Sequence, residues 1–125
     1  MYLIHNALVK LHIAFGAVAL VVFWIPIAAR KGSRLHVNAG RWYTRFMYAV
    51  CATAFIASVM VLADPLTVRL PDGVSQGSDA VALAATYRMF STFLLMLSVL
   101  VFVSIRHGLA ALQEKRQSGS LSDSA

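Results

Sequence analysis

A single cysteine, Cys51, excludes an intramolecular disulfide, a CxxC redox pair and a cysteine zinc cluster. Prolines number only three, at positions 26, 65 and 71, so long stretches contain no helix breaker. Acidic residues are five against eleven Lys and Arg, and charged residues of both signs make up 13% of the 125-residue chain. A soluble domain carries about 25%. Hydrophobic residues fill the space, at 59% with a mean hydropathy of +0.72, against the ~45–50% apolar share of soluble domains. The net charge of +6 raises nucleic acid as a partner. The basic residues, however, sit between apolar runs rather than along one face, and no nucleic-acid-binding module is recognisable, so no nucleic-acid partner is expected. The solvent is a bilayer, and the expected fold is an all-α integral membrane helical bundle with three transmembrane helices.

Leu11 to Ala29 is free of Asp, Glu, Lys and Arg for 19 residues, which as a helix spans roughly the 30 Å hydrocarbon core. A secretory signal is set aside, because the run exceeds the usual ~7–15 residues and Arg30 and Lys31 replace a cleavage site. Phe46 to Ala63 forms a second span, stopped by Asp64 and Pro65. Met89 to Ile105 anchors a third, covering about 85–106. The runs do not alternate and outlast the ~9–11 residues of a membrane β-strand. Pro71, Asp72 and Gly73 signal a turn in the second connection, Ser78 and Asp79 suit the cap of the third helix, and Ser-rich residues 117–125 are expected to be a disordered tail after the 1–116 membrane domain.

Charge gives the orientation. Arg30, Lys31, Arg34, Arg41 and Arg45 crowd the first connection without an acid, while the second carries Arg69 beside Asp64, Asp72 and Asp79. The positive-inside rule then puts the first connection and the tail, with Arg106, Lys115 and Arg116, in the cytoplasm and the N-terminus outside. The five basic residues of the first connection also suit anionic lipid headgroups. Trp24, Trp42 and Tyr43 fall at the inner boundary, and Tyr2 and Tyr87 at the outer one.

Four histidines are candidates for chemistry. His5 and His12, seven apart on one helix, stand about 10.5 Å apart along the axis and cannot bracket one iron. His36 and His107 lie on the cytoplasmic side of different segments and form the axial pair through which one chain would hold haem b; the plain alternative is a pair of solvated histidines near headgroups. His12, Asp64 and Arg88, each at the outer end of a span, compose an outer polar cluster suited to a small anion, a quinone head or a proton. The alternative there is an Arg88 that snorkels and an Asp64 that caps the membrane edge. Gly16 and the ridge of Ala49, Thr53 and Ala57 allow close helix packing, and a homo-oligomer or a partner helix is expected against that ridge. Pro26 is expected to kink the first span, and Cys51 to be an inert small hydrophobe.

His12 followed by Gly16, together with Gly32-Ser-Arg-Leu-His36-Val-Asn-Ala-Gly40-Arg41-Trp-Tyr43, Arg88 and Ser104-Ile-Arg-His-Gly108, resembles a bacterial family of predicted membrane proteins, domain of unknown function 2306. The resemblance covers roughly Leu11 to Arg116 and implies a multi-helix inner-membrane protein of unassigned biochemistry. Val37 departs from the basic residue often found after the loop histidine. Members often have a further helix, which implies a short form here or a bundle completed by another chain. The function expected from all this is a non-catalytic accessory or scaffold-like subunit needing no cofactor. The alternatives are a haem- or quinone-binding redox protein and, third, a component of a small-solute transporter.

Overall fold

Helix formation follows where nothing in the sequence opposes it. The computed structural model describes residues 2–69 and 78–122. Four helices follow in chain order: α1, Tyr2–Ala28; α2, Arg34–Ala63; α3, Pro65–Arg69; and α4, Ser78–Ser122. Three apolar segments, Tyr2–Ala28, Arg34–Ala63 and Ala80–Lys115, are long enough to cross a membrane. The chain is therefore the expected all-α bundle with three potential spans. The Pro71-Asp72-Gly73 turn lies outside the described residues.

The helix limits differ from expectation in instructive ways. α1 starts at Tyr2 rather than near Leu11, because residues 2–10 contain no breaker and Lys10, exposed on the helix surface, is itself a good helix former whose stem can snorkel. α2 starts at Arg34, so most of the expected basic connection is helix. Ser33 is the reason: its extended backbone and its side chain, which accepts the His36 N–H at 3.2 Å, make it an N-cap. The true connection is a tight turn closed by Ser33 N–H to Arg30 O at 3.1 Å, with Gly32 at φ +81°. Pro65 does end α2, but it also opens α3 as its first residue, where a missing N–H costs nothing. α4 continues through Ser122 past Gln117, where a disordered tail was expected. Extending a formed helix fixes only one residue per added bond, so the good helix formers at 113–117 carry α4 on through 118–122 although Gly119 and the serines favour it less. Residues 123–125 lie outside the described set.

α2 is the central helix. It runs antiparallel to α1, as the Phe23–Tyr43 ring pair at 5.7 Å and the His12–Thr53 pair show. It also runs antiparallel to α4, through Tyr48–Phe102 at 5.7 Å and the Ser98 hydroxyl donated to Cys51 O at 3.0 Å. Among the described residues no Cα atoms of α1 and α4 come within 8 Å of each other, whereas α3 touches all three long helices and closes one end of the bundle with its buried Val68. The helix contacts use small side chains, Ala19, Ala39, Cys51, Thr53, Ser58, Ser91 and Ser98 all being buried. Such residues let backbones approach where burial of apolar area provides no driving force. Large apolar side chains such as Val21, Phe93 and Leu100 point outward, as a lipid-facing surface requires.

Candidate binding groove

Because α1 and α4 both lean on α2 without meeting, a groove of about 390 Å³ opens between them. Val9 of α1, Val50 and Val61 of α2, and Leu94 and Val101 of α4 make its lining mostly apolar. The polar groups that reach it are His5, His12, Ser58, Ser91 and Ser98. This combination of apolar walls and a few polar groups is the usual composition of a small-molecule site.

His12 is the most defined of these. Its Nδ1 lies 3.1 Å from Val50 O and 3.2 Å from Thr53 Oγ1. A carbonyl can only accept, so Nδ1 carries the proton and donates it. The Thr53 hydroxyl in turn donates to Ala49 O at 2.8 Å and Val50 O at 3.0 Å, which turns an oxygen lone pair toward the imidazole. The ring is thus held by α2, and its Nε2 makes no hydrogen bond with the described residues.

The depth of His12 corrects the expected outer cluster. From Arg45 to Asp64, α2 rises about 28 Å, close to the thickness of a hydrocarbon core. Thr53, and His12 with it, lies about 16 Å from the Asp64 level, near mid-depth. The cause is the early start of α1, whose first turn rather than Leu11 lies level with the end of α2. Asp64 and Arg88 do remain neighbours, without His12. Asp64 accepts the Thr67 N–H at 3.3 Å, and its carboxyl is held below the usual range by Thr67, side chain first and then backbone. Burial opposes this in part, and the Leu66 N–H and the Arg88 charge add lesser lowering effects.

His36 and His107 are not brought together. His36 Nδ1 donates to Pro26 O at 3.1 Å, so this imidazole satisfies one of the carbonyls left open at the C-terminus of α1. His107 is exposed on α4, at the level of Trp42 and Tyr43, about 9 Å along the axis from His36. Among the described residues no group of three His, Cys, Asp or Glu could hold a metal ion.

The packing residues divide. Thr53 is buried against α1 and Ala57 lines the groove, so the ridge beginning at Ala49 serves contacts inside the chain, and an outside partner cannot reach Thr53. Gly16 does not serve close approach, since a Cβ there would meet nothing within 4 Å; the same holds for Gly40, which lies inside α2 rather than in a turn. Arg30, Lys31, Arg34, Arg41 and Arg45 are all exposed at one end of the bundle, and the Arg45 guanidinium lies 5.1 Å from the centroid of the Trp42 ring. Sequence reasoning missed His5 as a groove residue and the Ser91–Ser98 pair. Small residues seven apart on one helical face were the available signal for the latter.

The chain matches no known family model, no curated relative and no solved structure. The resemblance to the family of unknown function rests on the motif residues alone.

Proposed function

We propose that the protein is a non-catalytic accessory subunit of the bacterial inner membrane, related to domain of unknown function 2306, which holds an apolar small molecule in the groove between α1, α2 and α4. The groove itself is the observation that carries this reading: three helices line it, and the α1–α4 gap opens it sideways to the acyl chains. In this reading the N-terminus lies outside. The cluster of Arg30, Lys31, Arg34, Arg41 and Arg45 meets anionic headgroups of the cytoplasmic leaflet, which also complement the acid-free N-terminus of α2. The exposed apolar faces of α1 and α4 leave room for a second copy or a partner helix.

Native mass spectrometry of the protein released from its own membranes tests the reading. The chain is expected to carry a lipophilic adduct distinct from bulk phospholipid, and Ala54→Leu, which fills part of the groove wall, is expected to reduce its occupancy several-fold. Release of an adduct-free wild type, or an adduct indifferent to Ala54→Leu, would sink the proposal.

A further inference from the structure

If the groove holds a lipophilic molecule, the hydrogen bonding of His12 specifies the head of that molecule. We infer that the ligand is a lipid-soluble molecule with a hydroxyl at its buried end, donated to Nε2 of His12. This inference rests on the groove reading above.

The argument starts from the α2 backbone. Val50 O accepts the Nδ1–H hydrogen bond and Thr53 Oγ1 backs the same nitrogen, so in the neutral form of the ring the lone pair belongs to Nε2. Nε2 has no hydrogen-bond partner among the described residues, and the ring it belongs to lines the groove. A ligand that offers an O–H there completes the imidazole, whereas a carbonyl sets acceptor against acceptor near mid-membrane, where no bulk water relieves the conflict. The volume agrees with a ring-sized head: about 390 Å³ exceeds twice the ~150 Å³ cavity that takes up benzene, so an aromatic ring fits with the first carbons of a tail. The tail leaves through the α1–α4 gap into lipid. A phenolic hydroxyl of the hydroquinone kind and the hydroxyl of a long-chain alcohol share this chemistry.

The test uses the full chain in phosphatidylcholine nanodiscs and measures retention of three probes against protein-free discs: a short-chain 1,4-hydroquinone, its oxidised quinone and a long-chain alcohol. The wild type is expected to retain the hydroquinone about tenfold more tightly than the quinone. His12→Asn places an amide N–H where Nδ1 stood, so the Val50 bond survives while Nε2 disappears; the preference should then fall to near unity. Nitrogen NMR of labelled histidine reads the same bond directly, as a shift of a pyridine-type Nε2 signal when the hydroquinone is added. Retention of the alcohol in place of the hydroquinone supports the hydroxyl chemistry and assigns its source to an aliphatic lipid. Equal or tighter retention of the quinone by the wild type, or a hydroquinone preference that survives His12→Asn, overturns the inference and leaves the groove reading standing. Retention of no probe overturns both.

Discussion

Gly32 and Gly40 flank the same motif and do different things, which makes them a useful pair at the scale of single residues. Gly32 holds φ at +81°, a conformation that L side chains adopt at a cost of about 1–2 kcal/mol, and it does so one residue before the Ser33 cap. Gly40 is helical with open space beside it. Gly32→Ala is expected to destabilise the protein by about 1 kcal/mol, and Gly40→Ala to stabilise it by about 0.5–1 kcal/mol through helix propensity. Denaturant titration in detergent micelles, followed by circular dichroism, would show the opposite signs; a loss of stability at both positions would mean that Gly40 is needed for an approach the bundle does not display. His36 belongs to the same scale. A histidine in a basic stretch invites a ligand role on sequence grounds, yet its Nδ1 is engaged by Pro26 O, a contact between residues ten apart that depends on how the turn folds back and that no residue type announces.

At the scale of elements, Asp64 joins two helices. Its backbone N–H closes the last turn of α2 on Met60 O at 3.1 Å, and its carboxylate takes the Thr67 N–H of α3. Its carboxyl is depressed below the ordinary value of 3.8, so the unfolded chain binds protons more readily there and stability rises with pH across that interval. The contribution is complete above the ordinary value and is lost as pH falls through the depressed one. Thermal unfolding of wild type and Asp64→Asn from pH 6 to pH 3 isolates this group from the other carboxylates. Asn keeps an oxygen for the cap and does not titrate, so the two curves should be separated at pH 6 and approach each other toward pH 3; parallel curves would remove Asp64 from the linkage. The apolar run and Pro65 made the end of the second span legible in sequence, and Ser78 with Asp79 the start of the third helix, but not how far that helix continues past residue 106. The early starts of α1 and α2 were not legible either, because a charged residue such as Lys10 or Arg41 reads as the edge of a span although it fits a helix well. The groove was illegible for a related reason: periodicity shows which residues share a face, but the separation of α1 from α4 arises only when both choose α2 as neighbour.

Apart from Lys10, which lies near the depth of His12, the described charges sit toward the two ends of the molecule, and the proposed orientation in the membrane rests on that separation. Arg30, Lys31, Arg34, Arg41 and Arg45 lie at the end where α1 passes into α2, and the antiparallel register of α2 and α4 brings Arg106 and Lys115 to that same end. Asp64 lies at the other end. Translocating the basic end would oppose the membrane potential, at about 2.3 kcal/mol per charge per 100 mV, and would remove it from the anionic leaflet. At the other end Asp64 offsets the charge of its neighbour Arg88, so the cost there is smaller. Cys51 is buried between helices and supplies a low background for thiol labelling. In intact cells a Ser75→Cys variant is therefore expected to react with a membrane-impermeant maleimide, while Ser118→Cys, on the exposed extension of α4, reacts only after permeabilisation. Labelling of Ser118→Cys alone in intact cells would invert the protein and move the basic end outside. Labelling of both would leave an even number of crossings between them, which is incompatible with Ala80–Lys115 acting as a single span.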